Sequence, residues 1–303
     1  MLETTAWLWI PVTVWAAFAQ TVRNAAQRSL TAELGTLGAT LVRFLYGLPF
    51  ALLWFLSVES FVREQTPTPT IVFLGWVLVG SVSQIGATAL LLRVMQERNF
   101  ALGVAYSKTE VIQVALFAFA FLGDPVGTPL ALAVMSGTLG VLLLSPQRLR
   151  LGWVRSWTTR PALLGLASGA GFALSAVGYR GATLALGDAQ FLLAAAFTLL
   201  VAQSVQTLLL GGWLLARAPA TAAKVLRAWR RSLLAGFMGA AASAGWFTAL
   251  ALEPAAHVRT LGLVELVFSV AVSRRFFRER LSGRELGGIA LLALGVALIT
   301  LGR

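Results

Sequence analysis

Long apolar runs, broken at short intervals by arginine-rich or proline-containing stretches, constrain this chain more than any other feature. A helix that crosses a bilayer needs roughly 20 mainly apolar residues. With no water in the hydrocarbon layer, each crossing must satisfy its own backbone as helix. Ten runs of this kind can be read, at residues 6–28, 36–58, 70–93, 100–122, 128–145, 161–182, 190–215, 232–252, 255–274 and 284–301. Their breaks have physical causes. Thr66-Pro67-Thr68-Pro69 and Gly123-Asp124-Pro125 stop helices, and Pro161 suits a helix start. The first run lacks a basic leader and carries polar residues, so it reads as a span, not a cleaved signal. The longest connections, 146–160 and 216–231, are short and basic, which leaves no room for a soluble domain. The expected fold is an all-α integral membrane protein of ten transmembrane helices.

Composition narrows the chemistry. Only 12% of residues are charged, against about 25% in soluble proteins. There is no cysteine and one histidine, which excludes disulfide frameworks, zinc clusters and cysteine nucleophiles. No glycine-rich loop ends in Lys-Ser or Lys-Thr, so ATP-driven pumping by this chain has no motif. No cofactor, no metal and no catalytic residue is expected. The net charge of +12 would point to nucleic acid in a soluble protein. Here it follows the positive-inside rule. The odd-numbered connections hold 18 basic residues, including Arg23 and Arg28 in the first, and the even side with both termini holds 3. That bias places the odd connections in the cytoplasm and both termini in the periplasm. Twenty-two arginines against two lysines fit a GC-rich bacterial gene, hence a bacterial inner membrane.

The chain resembles itself at a shift of 155 residues. Glu110 then meets Glu265, Phe121 meets Phe276, Asp124 meets Glu279, and Leu139-Gly140-Val141 meets Leu294-Gly295-Val296. Two repeats follow, 1–146 and 161–303, joined by the basic loop 147–160. Five spans per repeat is odd, so the second copy enters the membrane inverted. Secondary transporters built this way bind substrate between the halves, near the midplane.

Phe276-Phe277-Arg278-Glu279-Arg280-Leu281, then Glu285-Leu286-Gly287-Gly288 and Leu294-Gly295-Val296, resembles the ending of EamA domains. Phe121-Leu122-Gly123-Asp124 with Leu139-Gly140-Val141 is its weaker first copy. The whole chain is similar to ten-helix transporters of the drug/metabolite transporter (DMT) superfamily. That resemblance implies two inverted five-helix repeats and an export direction.

A charge in the middle of a bilayer costs about 2.5–3.5 kcal/mol on insertion scales, so each one needs a reason. In the fourth span Tyr106, Glu110, Gln113 and Phe117 fall on one helix face, and in the ninth His257, Leu261, Glu265 and Phe268 do the same. The glutamates either border a cavity, binding a substrate amine or a coupling proton, or pair with basic residues of neighbouring helices. Lys108 and Arg259 sit about 200° away around a continuous helix, which disfavours pairing within their own spans. His257 and Arg259 also read as interfacial anchors after Glu253-Pro254, and Arg43 as a residue that snorkels outward. Gln20, Asn24 and Gln27 form a polar stripe in the first span, and Ser81, Gln84 and Thr88 one in the third. Such stripes line a path or join helices. Trp246, in the middle of the eighth span, faces a ligand, lipid or core. The candidate substrate-binding set is therefore Glu110, Glu265, Tyr106, Gln113, Lys108, His257, Arg259, Gln84, Asn24 and Trp246.

The expected function is secondary-active transport of a small metabolite by alternating access, with amino acids or related zwitterions as the leading substrates for export. Amphipathic drugs and other organic ions are the alternative, and a membrane enzyme acting on lipids lacks the His or Asp cluster it would need. Expected partners are the substrate, the lipid bilayer and protons as coupling ion, with no nucleic acid and a monomer as the working unit.

Overall fold

The computed structural model describes residues 7–97, 104, 107–108, 110–124, 127–144, 160–187 and 189–277, with 283, 287–288, 290–291, 294–295 and 298 from the last stretch. Helices dominate, and no strand occurs among the described residues. In chain order they are α1 (Trp9–Leu45), α2 (Leu48–Val62), α3 (Ile71–Glu97), α4 (Glu110–Leu122) and α5 (Thr128–Leu144). The second half has α6 (Arg160–Leu184), α7 (Phe191–Arg217), α8 (Pro219–Arg227), α9 (Trp229–Leu252), α10 (Ala255–Leu261), a 3₁₀ turn (Gly262–Val264) and α11 (Glu265–Phe277).

α1 is two limbs joined at Gly35, whose φ of 69° and ψ of 173° lie outside the helical region. The chain reverses there. The side-chain amide of Gln27 donates to the carbonyl of Ala39 at 2.8 Å, twelve residues on, whereas twelve residues of straight helix extend about 18 Å. The connection expected at 28–36 is thus a turn at one glycine, because only the residue that must adopt positive φ has to leave the helix. Arg23, assigned to that connection from its charge, is instead fully buried inside the first limb. The second expected span is interrupted at Tyr46–Gly47 before α2 begins. The connection 216–231 contains α8, a short amphipathic helix that buries Ala222 and Val225 and exposes Lys224 and Arg227. Tyr46 ties it down, its hydroxyl donating to the Val225 carbonyl at 2.9 Å.

Five helical stretches among the described residues are long and apolar enough to cross a membrane: Trp9–Val62, Ile71–Glu97, Phe191–Arg217, Trp229–Leu252 and Ala255–Val272. Their outer faces present Leu52, Leu56, Leu78, Leu208, Leu215 and Phe237, large apolar side chains that a bilayer covers and water would not favour. The chain is a multi-pass membrane protein.

Packing pairs the halves. The first limb of α1 lies along α9, α6 lies along α3, and α2 lies against α7. α11 packs on α1, and α4 packs on α6. Small residues permit these approaches. A Cβ on Gly178 would stand 2.9 Å from the Gly80 backbone, and one on Gly245 would stand 2.8 Å from the Ala16 side chain. Without a hydrophobic force between helices in lipid, close van der Waals contact and interhelical hydrogen bonds hold them.

Helix ends recur. α4 and α11 are both 13 residues long, and both of their ends differ by 155. The ends Val62 and Glu97 are matched by Arg217 and Leu252 at the same spacing. The hydroxyl of Ser136 on α5 donates to the carbonyl of Leu291 at 2.9 Å, again 155 residues away.

Candidate functional site

Both membrane glutamates sit where helix starts. Glu110 opens α4, and Glu265 opens α11 directly after the 3₁₀ turn. The N-terminal end of a helix carries partial positive charge, which favours a carboxylate there. The fourth and ninth spans are therefore not the continuous helices on which the 200° separation rested. Lys108 stands in a turn before α4, and from there its ammonium reaches Glu110 Oε1 at 3.4 Å and also binds Glu265 Oε2. The expectation that disfavoured pairing of Lys108 with the glutamate of its own span is corrected by this break. Arg259, on α10, approaches Glu110 Oε1 at 3.8 Å.

The first limb of α1 supplies the rest. Gln20 Nε2 donates to Glu265 Oε2 at 2.7 Å, and Asn24 Nδ2 donates to Glu265 Oε1 at 3.0 Å. Gln20 also accepts from the indole Nε1 of Trp246 at 2.9 Å. The Arg259 guanidinium lies over the Trp246 ring, 4.6 Å from its centroid, within cation–π range. Gly262 makes room for that ring, since a Cβ there would come within 2.6 Å of it. All of these side chains are buried. Removing one partner from such a pair typically costs about 3–5 kcal/mol, because the other charge is left uncompensated.

Two more arginines adjoin the cluster. Arg23 Nη2 donates to Asn24 Oδ1 at 2.6 Å, and its Nε and Nη1 have no partner. Arg43 donates to the hydroxyls of Thr88 at 3.2 Å and Ser243 at 3.3 Å. Arg43 is 2% exposed, so it turns inward where snorkelling was expected. The hydroxyls of Thr88 and Ser243, contributed by other helices, give an inward guanidinium its hydrogen bonds.

Of the candidate residues, the structure thus brings together Glu110, Glu265, Lys108, Arg259, Asn24 and Trp246. Gln84 lies elsewhere. Its Oε1 accepts from Tyr179 Oη at 3.0 Å and from Gln206 Nε2 at 2.7 Å, and Gln206 also donates to Tyr179 Oη. That trio ties α3, α6 and α7 together. His257 turns to Glu253, four residues earlier, with Nδ1 at 2.5 Å from the carboxylate, and not to Glu265. Gln113 is half-buried on α4, its Oε1 without a hydrogen-bond partner. Tyr106 lies outside the described residues.

A separate ion pair joins the ends of three helices. Arg180 on α6 binds Asp124, beyond α4, through Nε at 2.9 Å and Nη2 at 3.3 Å. Its Nη1 donates to the carbonyls of Leu250 and Glu253 at the end of α9. One guanidinium therefore joins three segments.

Sequence reasoning missed Arg23, Arg43 and Gln20 as members of the site. The signal for two of them was present, since Gln20, Arg23, Asn24 and Gln27 share helical spacing. A basic residue inside a polar stripe is better assigned to that stripe than to a neighbouring loop.

Residues 159–301 match the model of the EamA-like transporter family, part of the drug/metabolite transporter superfamily. No curated protein matches the chain in sequence. Among solved structures 28 chains match. One, described as the crystal structure of a protein, aligns over 97% of this chain and 96% of its own, with a TM-score of 0.67 and 14% identity. At that identity the likeness concerns the fold.

Proposed function

Because residues 159–301 belong to the EamA-like transporter family, we propose that the chain is a secondary transporter that carries a small metabolite by alternating access, with its site in the buried cluster between the halves. The observation that carries this reading is the shared ammonium of Lys108: Glu110 from one half and Glu265 from the other both pair with it. Charged groups buried in the membrane mark substrate or ion pathways, since each costs insertion energy. A cluster contributed by both halves changes its geometry when they rock against each other.

The proposed architecture is ten spans in two inverted repeats. The helix ends spaced by 155 and the Ser136–Leu291 hydrogen bond support it. So does the packing, because the α1–α9 contact recurs as α6–α3 once the halves are exchanged. The broken ninth span, with a carboxylate at the start of its second helix, fits the discontinuous helices that transporters use at their sites. Arg180 with Asp124 then acts as the closure of one face, and opening toward that side requires its release.

An amino acid or related compound is the substrate class this reading favours, with the glutamates available to an amine and the arginines to a carboxylate. Export across a bacterial inner membrane, by a monomer and with protons as coupling ion, is the accompanying proposal. The test is uptake of radiolabelled amino acids into proteoliposomes, with and without a pH gradient. Saturable counterflow of at least one compound is expected. Protein-independent leakage for every compound would overturn the reading.

A further inference from the structure

The buried cations outnumber the buried carboxylates around the site. Lys108, Arg259, Arg23 and Arg43 face two carboxylates, Glu110 and Glu265, among the described residues. Lys108 and Arg259 make the ion pairs. Arg23 and Arg43 hydrogen-bond only to a carboxamide and two hydroxyls, and Nε and Nη1 of Arg23 have no hydrogen-bond partner. The Arg43 guanidinium also lies 5.2 Å from the Phe44 ring, and Glu265 is the carboxylate that acts on Arg23. The exposures of Arg23 and Arg43 are 0% and 2%, so bulk solvent does not reach them. A buried guanidinium short of partners is costly, and a counter-charge relieves that cost.

The two arginine stems meet at Gly239. A Cβ there would stand 3.0 Å from Arg43 Cγ and 3.5 Å from Arg23 Cδ. Gly239 is the repeat counterpart of Gln84, at the spacing of 155. The counterparts of Tyr179 and Gln206 are Asn24 and Ala51 by the same shift. In one half this position is filled by the Gln84–Tyr179–Gln206 trio, whose polar groups satisfy one another. In the other half, smaller residues replace that trio, and the stems of two under-partnered arginines pack there against Gly239.

We propose that the guanidinium groups of Arg23 and Arg43, whose stems meet at Gly239, form an anion subsite, and that the transported metabolite is a small organic acid with net negative charge, bound there through an oxyanion, carboxylate or phosphate. Asn24, Thr88 and Ser243 line this subsite, and Glu265 bounds it on the side of the Lys108 cluster. This deepens the transporter reading and rests on it. It narrows amino acids to the acidic ones and admits organic acids without an amine. Arginine suits the role because its planar fork meets an oxyanion with two parallel donors.

The test uses the full-length protein in lipid nanodiscs. Its melting temperature is measured against succinate, glutamate, inorganic phosphate, leucine and tetraethylammonium at matched ionic strength. At least one of the three anions is expected to raise it by a few degrees, since a ligand that binds only the folded state stabilises it. Leucine and tetraethylammonium are expected to leave it unchanged. Succinate against phosphate separates the two oxyanions. The shift should disappear in Arg23→Gln and Arg43→Gln and survive in Gln206→Leu. If the arginine variants fail to fold, Gly239→Ala gives the same reading, because it keeps every charge and only displaces the Arg43 stem. Equal shifts in wild type and Gly239→Ala, or a shift by leucine or tetraethylammonium alone, would overturn the anion subsite. Proteoliposome flux separates the two readings. An anion shift with protein-independent leakage for every compound leaves the subsite standing and removes the transporter reading, whereas saturable transport of leucine without any anion shift does the reverse.

Discussion

Glu110 and Glu265 begin two helices of equal length, 155 residues apart, and both pair with the ammonium of Lys108. The two are not equally embedded. Glu265 also accepts from Gln20 and Asn24, whereas Glu110 has more distant partners at 3.4 and 3.8 Å.

Glu265→Gln should therefore destabilise more than Glu110→Gln. Glutamine at 265 leaves Lys108 short of charge compensation in a region already rich in cations, a loss on the order of 3–5 kcal/mol. Thermal unfolding in detergent should show a fall of several degrees for Glu265→Gln and a smaller one for Glu110→Gln. Flux should drop at least roughly tenfold in both, the equivalent of about 1.4 kcal/mol. An equal or reversed stability order contradicts the assigned geometry.

The Arg180–Asp124 closure makes a prediction about access. The chain has no cysteine, so a single introduced thiol reports cleanly. Thr183, 6% exposed and bonded back to the Arg180 carbonyl, is a suitable position. Thr183→Cys should react slowly with a membrane-impermeant maleimide. Adding Asp124→Asn should speed the reaction by roughly tenfold, as expected if about 1.4 kcal/mol of closure is removed. An unchanged rate would show that the ion pair does not hold that face shut.

Topology follows from charge. Moving Arg23 inside the bundle subtracts one residue from the cytoplasmic count and leaves its direction intact. Lys224 and Arg227 on α8 remain exposed, and Trp229 with the Arg230 guanidinium 5.2 Å from its ring forms an interfacial anchor beside them. A C-terminal alkaline phosphatase fusion should be active and a C-terminal green fluorescent protein fusion dark. Lys224→Cys should label only after the membrane is opened.

Glycine positions separate contact from open space. A Cβ on Gly236 would lie 2.5 Å from the Tyr46 backbone, and one on Gly178 would lie 2.9 Å from that of Gly80. Alanine at either must push backbones apart, and the melting temperature should fall by several degrees. A Cβ on Gly75 or Gly86 meets nothing within 4 Å. Alanine there should be neutral or stabilising by up to about 1 kcal/mol, from helix propensity.

The sequence by itself determined the class of fold, because one solvent requirement governs it. Apolar runs long enough to cross a bilayer have no alternative to the helix, and proline and arginine mark where they stop. It also carried the 155-residue spacing of Glu110 and Glu265, two rare acids that each open a helix of 13 residues. It did not carry the breaks inside the spans. Tyr46–Gly47 and the 3₁₀ turn at Gly262–Val264 leave no mark on hydropathy, because each concerns a few dihedral angles inside an otherwise apolar stretch. Those breaks decided the site. A continuous helix would have turned Lys108 away from Glu110 and carried His257 onto the face of Glu265. The turn before α4 delivers Lys108 to both glutamates, while His257 stays with Glu253. Tertiary structure alone also decided that Arg23 and Arg43 point inward. Charge and position in sequence are the same for a snorkelling arginine and a buried one, and the difference lies in Asn24, Thr88, Ser243 and Gly239, drawn from three separate helices.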